Sequence, residues 1–275
     1  RKQVFELRRD AIESADTIKR AIVGPILKSK LELKDIILHH PKLNAFIQRR
    51  ARSSNQEVWK VRQEADRNLD EIAADYNYTL IVAGERLLSW ILNLLFDGVD
   101  VDTESLQKVK KAARNKTLIY VPCHKSHMDY LILSYILFKN NLYPPFIAAG
   151  KNLSFWPLGP IFRRGGAFFI RRTFKGNKFY AEIFSLYVKT MVQWGHNIEF
   201  FIEGGRSRTG KMVLPKLGLM AILIQAVEEG FCDDLVFVPT SICYDRIPEE
   251  EAYVKEISGG AKVDENIKQL VNARR

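Results

Sequence analysis

The sequence predicts an α/β protein in which a mixed sheet flanked by helices follows an all-helical domain. Over residues 1–97, apolar residues recur at helical spacing, and Gly or Pro interrupts the pattern only at Gly24-Pro25, Pro41 and Gly84. After residue 105, short apolar runs alternate with amphipathic segments, as in repeated strand-helix-strand units. We therefore expect a helical domain over residues 1–97 and an α/β domain over residues 98–275.

The helical domain combines apolar periodicity with many basic residues. Leu80, Leu87, Ile91 and Leu94 are spaced to lie on one face of a helix. The segment Arg49-Arg50-Ala51-Arg52 is the densest basic cluster. It is either a solvated helical face or a surface that contacts a membrane or an acidic partner.

The α/β domain is predicted to contain five strands and at least three helices. The apolar runs typical of strands lie at residues 117–121, 145–149, 167–170, 198–202 and 235–242. The segments typical of helices lie at residues 126–138, 177–194 and 214–229. This order predicts a sheet with helices packed against it.

Length and charge allow a sizeable core and indicate an anionic partner. The chain has 275 residues, and its 42 Lys and Arg exceed its 32 Asp and Glu, which leaves a net charge of +10. This charge favours phosphate groups, nucleic acid or an anionic membrane face without choosing among them. No apolar run approaches the roughly 18 to 20 residues of a membrane span, and no signal peptide is visible, so we expect no bilayer crossing.

The cysteines indicate the redox state of the protein's compartment, and the chain ends indicate whether the sequence is part of a longer protein. Cys123, Cys232 and Cys243 lack the spacing of a metal site and cannot all pair, which favours a reducing compartment. The sequence starts at Arg1 without an initiator Met and ends without a closing element, so we expect a piece of a longer protein.

The segment 120–130 joins a predicted strand to a predicted helix and carries His124 and Asp129. On one continuous helix these side chains would point about 140° apart, so a direct hydrogen bond requires a turn. Ser126 is a candidate helix N-cap, and Ser126-x-x-Asp129 has the capping-box pattern. Asp129 therefore either orients His124 as a general base or only caps the helix. His127 falls in the first predicted helical turn, too near Asp129 to be the base.

Two further segments carry arginines at predicted strand ends. Arg171 and Arg172 follow the strand at residues 167–170, and Arg206 and Arg208 follow the strand at residues 198–202. The planar guanidinium group suits phosphate oxygens. In the second segment, Gly204 and Gly205 lie between strand and arginines and let the backbone approach a ligand. The motif of a nucleotide-binding phosphate loop is not completed, since Met212 follows Lys211 where the motif requires Ser or Thr.

Four blocks of residues resemble those of the glycerol-phosphate acyltransferase superfamily. They are His124 to Asp129 as H-x4-D, residues 166–172 (Gly-Ala-Phe-Phe-Ile-Arg-Arg), residues 201–208 (Phe-Ile-Glu-Gly-Gly-Arg-Ser-Arg) and residues 236–239 (Val-Phe-Val-Pro). An H-x4-D spacing alone is weak, whereas four blocks in this order are specific. Over residues 97–260 the chain is most similar to the bacterial membrane-associated enzymes that acylate glycerol 3-phosphate, while residues 241–245 are similar to dihydroxyacetone-phosphate acyltransferases.

The resemblance implies acyl transfer from acyl-CoA or acyl carrier protein to the sn-1 hydroxyl of glycerol 3-phosphate. The product would be lysophosphatidic acid, in the first step of phospholipid synthesis. His124 would be the general base and Asp129 would orient it, with no metal and no cofactor. The substrate-binding residues that it implies are Arg172, Glu203, Gly204, Gly205, Arg206, Ser207, Arg208 and Lys211. Glu203 is expected to orient an arginine or a substrate hydroxyl.

The resemblance also implies peripheral attachment to the cytoplasmic face of the inner membrane. The acyl chain needs an apolar groove, and the candidates for lining it, for touching the membrane or for ordinary core packing are Phe155, Trp156, Leu158, Ile161 and Phe162. Nucleic acid is not an expected partner, because the basic residues flank strand ends instead of forming a surface interleaved with aromatic side chains. The alternatives are a dihydroxyacetone-phosphate acyltransferase and a non-enzymatic basic lipid-binding protein.

Overall fold

The structure, a computed structural model, describes residues 24–174, 176–207 and 213–245, together with residues 19, 21–22, 211 and 253–254. Between residues 30 and 95 it contains the helices α1 (Lys30–Leu38), α2 (Pro41–Ser53), α3 (Val58–Ile72) and α4 (Tyr78–Leu95). Local sequence explains where α1 begins, because Ser29 and Glu32 form a capping box.

The first three helices pack onto the sheet region instead of forming a separate core. Ile37, Ile47 and Leu69 belong to the same buried cluster as Ile119 and Phe184, which lie in the α/β part of the chain. One hydrophobic core therefore runs through both parts of the protein. The domain boundary near residue 97 stays a prediction.

A fifth helix, α5 (Thr103–Ala113), leads into a five-stranded sheet. The strands are β1 (Thr117–Pro122), β2 (Phe146–Gly150), β3 (Ala167–Ile170), β4 (Ile198–Glu199) and β5 (Leu235–Thr240), in the spatial order β3-β2-β4-β1-β5. The helices between successive strands are α6 (Asp129–Lys139), α7 (Leu158–Arg164), α8 (Lys178–Gln193) and α9 (Gly218–Glu228).

The predicted α/β sheet flanked by helices is confirmed, and the expected mixed pairing is corrected to a parallel one. Every strand pairing within the described residues is parallel. The physical reason lies in the connections: each contains a helix that carries the chain back to the edge from which the previous strand started.

The five predicted strands are all present, and the main differences lie at element boundaries. β4 stops at Glu199, because beyond it Phe201 and Ile202 turn away from the ladder and enter the following loop. The helix predicted from Ser126 begins instead at Asp129, and the one predicted from residue 214 begins at Gly218. Helix α7 was not predicted, since its seven residues are too few for a clear period.

The sheet topology determines where a site can form. β1 and β4 are adjacent central strands, with Tyr120 opposite Glu199 in the register. Because the strands are parallel, the turn after β1 and the loop after β4 leave the sheet at the same edge. Ligand sites of open α/β sheets lie at this carboxyl edge.

Helix α4 is the one element among the described helices that is long and apolar enough to cross a membrane by length and composition. Only 6% of its 18 residues are buried. It packs Leu92 against Met128 and Ile132 at the start of α6. The expectation that the chain does not cross a bilayer stays a prediction.

Candidate active site

The turn after β1 brings His124 and Asp129 into direct contact. Nδ1 of His124 lies 2.9 Å from Oδ2 of Asp129, whose side chain is fully buried. The same oxygen accepts hydrogen bonds from the backbone N–H groups of Lys125 at 2.7 Å and Ser126 at 2.9 Å. Because a carboxylate only accepts, this contact favours the tautomer with its proton on Nδ1, in which Nε2 keeps its lone pair.

The capping role and the orienting role of Asp129 coexist in this turn. Its carboxylate accepts from the Ser126 N–H, which is half of the predicted capping box, while Ser126 Oγ accepts from the Met128 N–H at 3.0 Å. The helix therefore starts at Asp129 and leaves His124 in the preceding loop. His127 also precedes the helix, which corrects its predicted place in the first helical turn.

The loop after β4 holds the backbone of His124 on two sides. Oε2 of Glu203 accepts from the His124 N–H at 2.8 Å, and the Ser207 N–H donates to the His124 carbonyl at 2.8 Å. The ring of Phe201 stacks on the imidazole, with centroids 3.9 Å apart and planes 27° apart. The expected partner of Glu203 was an arginine or a substrate hydroxyl, whereas the observed partner is the backbone of the histidine.

The loop after β4 also carries Arg206 beside the histidine turn. Its Nη1 donates to the Tyr253 hydroxyl at 2.8 Å, and that hydroxyl donates to the Lys125 carbonyl at 3.1 Å. Ser207 is buried and its hydroxyl donates to the carbonyl of Lys211, whose side chain is exposed. Arg208 lies outside the described residues.

The backbone conformation at Gly204 favours glycine, while the position of Gly205 has room for a side chain. Gly204 has φ +63°, and a Cβ there would come within 2.6 Å of the Lys216 side chain. Gly205 is exposed, and a Cβ there would meet no atom within 4 Å. The loop therefore depends on the left-handed turn at Gly204.

Arg172 stands apart from the other predicted binding residues. It is exposed and follows β3 at the edge of the sheet, three strand spacings from β1, or about 14 Å. The structure thus brings together the turn at His124 and the loop from Glu203 to Ser207, and it leaves Arg172 at the far end of the same sheet edge.

Arg171 is engaged in a structural ion pair. Its guanidinium group donates to both carboxylate oxygens of Glu71 in α3, at 2.6 and 2.9 Å, and lies over the ring of Tyr180. Lys151, which follows β2, also reaches Glu71 at 2.6 Å. Burial opposes ionisation of Glu71, but hydrogen bonds from Arg171 and Lys151 outweigh it and lower the pKa of Glu71. This clamp between α3 and two strand ends was not predicted.

An apolar groove of about 460 Å³ opens at the histidine. His124 and Phe201 form part of its wall, and the remaining wall comes mainly from α4, α6 and β2, including Leu88, Leu131 and Ala148. Of the five predicted groove candidates, Ile161 and Phe162 line it, whereas Phe155, Trp156 and Leu158 do not.

Two residues of the site were missed by sequence reasoning. The Tyr244 hydroxyl donates to Oδ1 of Asp129 at 2.6 Å, from a position 115 residues away in the chain. Glu199 in β4 is fully buried, and burial together with the charge of Asp129 raises the pKa of Glu199 well above its usual range. A carboxyl side chain at the second position of an apolar strand was the available signal for Glu199; no local pattern indicated Tyr244.

Within the described ranges, no group of three or more His, Cys, Asp or Glu is arranged to hold a metal ion. A mechanism without metal or cofactor stays a prediction.

Comparisons with known proteins agree with the four blocks. A model of the Acyltransferase family matches residues 100–243. Proteins named glycerol-3-phosphate acyltransferase from Haemophilus ducreyi, Actinobacillus succinogenes and Pasteurella multocida are each 45% identical to this chain. The matches cover 88 to 89% of this chain and 30% of each relative, so the chain spans less than a third of the length of these curated relatives.

Proposed function

The chain belongs to the Acyltransferase family, and we propose from this premise that it transfers a fatty acyl group from a thioester to the sn-1 hydroxyl of glycerol 3-phosphate. The donor would be acyl-CoA or acyl carrier protein, and the product lysophosphatidic acid. The observation that carries the proposal is the hydrogen-bonded pair of His124 and Asp129, in which His124 forms part of the wall of an apolar groove. A proton acceptor beside a channel for hydrocarbon is what acyl transfer to an alcohol requires.

In the proposed reaction, Nε2 of His124 takes the proton of the sn-1 hydroxyl as its oxygen attacks the thioester carbonyl. Asp129 holds the ring through Nδ1 and stabilises the imidazolium that forms. The carbon–sulfur bond then breaks, and the imidazolium returns the proton to the leaving thiolate. The free thiol and the new ester balance the reaction, and no acyl-enzyme is needed. General base catalysis of this kind contributes about 10² to 10⁴-fold.

The loop after β4 is the proposed binding site for the acceptor phosphate. Arg206 and Arg208 would form charge-assisted hydrogen bonds to its oxygens, with Ser207 and Lys211 nearby. The part of Arg172 in this site stays a prediction, because this residue lies at the far end of the sheet edge. Gly204 and Gly205 let the backbone approach the substrate. Glu203 would act indirectly, because its hydrogen bond to the His124 N–H couples the binding loop to the base.

The groove is the proposed site for the acyl chain. Its wall is formed by aliphatic and aromatic side chains, and each methylene removed from water contributes about 0.8 kcal/mol. The thioester carbonyl would lie beside His124 and Phe201.

Helix α4 is the proposed contact with the cytoplasmic face of the inner membrane. One side of it lines the groove, while Val82, Trp90 and Leu94 are exposed. A mostly apolar helix with exposed Trp and Leu side chains can bury them in a membrane, and here an acyl chain could pass directly from lipid to groove. The basic cluster at residues 49–52 is less suitable, because Arg50 pairs with Glu64 at 3.0 Å and lies over Phe179.

The base assignment is tested with protein in lipid vesicles, supplied with labelled acyl-CoA or acyl carrier protein and glycerol 3-phosphate. We expect His124→Ala to lose about 10² to 10⁴-fold in kcat, while His39→Ala, an exposed histidine at the end of α1, keeps its activity. Equal turnover by His124→Ala and wild type would refute the assignment.

The same preparation separates the alternative functions. A higher kcat/KM with dihydroxyacetone phosphate than with glycerol 3-phosphate would favour that acceptor. Vesicle binding without transfer to either acceptor would favour a non-enzymatic lipid-binding protein.

The phosphate site is tested by saturation with glycerol 3-phosphate. Arg206→Ala should raise KM about 10-fold to 100-fold, since a hydrogen bond to a charged group is lost. Arg52→Ala, an exposed residue of α2, is the matched control. An unchanged KM in Arg206→Ala would remove this arginine from the site.

A further inference from the structure

The two carboxylate oxygens of Asp129 have different partners. Oδ2 accepts hydrogen bonds from Nδ1 of His124 and from the backbone N–H groups of Lys125 and Ser126, which all belong to the same turn. Oδ1 accepts a hydrogen bond of 2.6 Å from the hydroxyl of Tyr244, a residue that lies beyond the end of β5. A donor at this distance from a carboxylate forms a short charge-assisted hydrogen bond.

Tyr244 is held in place independently of this bond. Its ring contacts Phe96 after the end of α4, with centroids 5.9 Å apart, and packs against the buried cluster of Leu92, Met128 and Ile132. A side chain held by apolar contacts on a second element loses little freedom when it donates to Asp129. The hydroxyl is therefore preorganised toward one carboxylate oxygen.

We propose that Tyr244 is a positioning residue for the His124–Asp129 base, a role that rests on the proposed acyl transfer. Its hydroxyl fixes the plane of the Asp129 carboxylate, so that Oδ2 points along the Nδ1–H bond of His124. It also withdraws part of the negative charge from a carboxylate that is fully buried. If a buried carboxylate loses a hydrogen-bond donor, its ionised form is destabilised, because no water replaces the lost donor.

The charged and titratable groups around Asp129 set the direction of the pH effect. His124 and Lys125 come from the turn, Glu203 from the loop after β4, and Glu199 from β4 itself. Helices α4 and α6 contribute apolar side chains to this cluster. Burial and the charge of Asp129 raise the pKa of Glu199, and a carboxyl group has no positive charge with which to offset that of Asp129. Without the Tyr244 hydroxyl, the histidine–aspartate pair should take up a proton more readily, and activity should fall at a higher pH than in wild type.

The test compares Tyr244→Phe with Tyr187→Phe in full pH–rate profiles with glycerol 3-phosphate. Tyr187 is a matched control, because its buried hydroxyl bonds the Ala74 N–H at 3.1 Å, away from the histidine turn. We expect Tyr244→Phe to lower kcat about 10-fold to 100-fold, to leave KM for glycerol 3-phosphate within about twofold, and to move the acidic limb of kcat/KM upward by about half a pH unit or more. Tyr187→Phe should lower the melting temperature without moving that limb.

The proposal is overturned if Tyr244→Phe keeps the wild-type kcat and acidic limb, or if it only loses thermal stability as Tyr187→Phe does. If Tyr244→Phe does not fold, 3-fluorotyrosine inserted at position 244 keeps the shape and makes the hydroxyl a stronger donor. The acidic limb should then move to lower pH, and an unmoved limb would be evidence against the proposal.

A readout without turnover separates this proposal from the proposed function. The Nδ1 proton of His124 should give a downfield NMR resonance that shifts in Tyr244→Phe and not in Tyr187→Phe. If wild type transfers no acyl group while this resonance shifts, acyl transfer fails and the positioning of Asp129 stands. If transfer occurs and the resonance does not shift, the positioning role fails alone.

Discussion

Replacing Gly84 with phenylalanine should shorten the acyl chain that the protein accepts. Gly84 lies in the middle of α4 and lines the groove, and a Cβ at this position would meet no atom within 4 Å. The new ring would therefore enter open groove space without a clash against the backbone. Gly84→Ala separates the effect of helix propensity from the effect of filling the groove. Alanine should only stabilise α4, by about 0.5 to 1 kcal/mol.

The size of the effect follows from the hydrophobic term. If the ring excludes about four methylenes at about 0.8 kcal/mol each, the longest acyl chains lose about 3 kcal/mol. This corresponds to roughly a 10²-fold lower kcat/KM, while short chains that end before Gly84 are unaffected. The position of the cutoff along the acyl series would locate Gly84 relative to the thioester.

The assay measures kcat/KM for acyl donors of increasing length. Ala83→Phe provides the control, because Ala83 is the exposed neighbour of Gly84 in α4 and does not line the groove. An unchanged chain-length profile in Gly84→Phe, or the same change in Ala83→Phe, would refute the assignment of the groove to the acyl chain.

Three further predictions concern the elements around the site. Glu71→Gln should reduce the free energy of unfolding above the unfolded pKa of glutamate and change it little at lower pH, because the fold lowers the pKa of Glu71. Urea unfolding at pH 7 and at pH 3 tests this, and equal losses of stability at both values would contradict it. Glu199→Gln should be more stable than wild type, by a margin that grows as pH rises above the unfolded pKa of glutamate, because burial and the charge of Asp129 raise the pKa of Glu199 in the fold; a margin independent of pH in thermal unfolding would contradict this prediction. Gly204→Ala should cost about 1 to 2 kcal/mol of stability through its positive φ, whereas Gly205→Ala should leave stability unchanged; equal unfolding midpoints for the two variants would show that the turn tolerates a side chain.

The strands were predictable because short apolar runs between polar segments have few other interpretations. All five appear within a few residues of their predicted bounds, and the helix from Lys178 to Gln193 differs by one residue at each end. The parallel pairing was not predictable at the same level, since strand direction depends on which helices lie in the connections. β4 ended early because its last predicted residues, including Phe201, serve the site instead of the ladder.

The candidate site also contains residues that the local sequence predicts and contacts that only the tertiary structure shows. Local sequence indicated His124 and Asp129, because their spacing across a strand-to-helix turn allows one hydrogen bond to form within a few residues. The arginines at strand ends were likewise visible as a pattern. Arg171 shows the limit of such reasoning, because its charge is used by Glu71 of α3, a partner 100 residues away.

Residue chemistry and short-range spacing thus determined that this chain carries a histidine–aspartate pair, glycine-rich arginine segments and an α/β sheet. Folding decided what those groups touch. The Tyr244 hydroxyl on Asp129, the Glu203 carboxylate on the backbone of His124 and the groove between α4 and α6 all join residues far apart in sequence. Such contacts depend on strand order and helix packing, which the sum of long-range interactions sets and which no local pattern encodes.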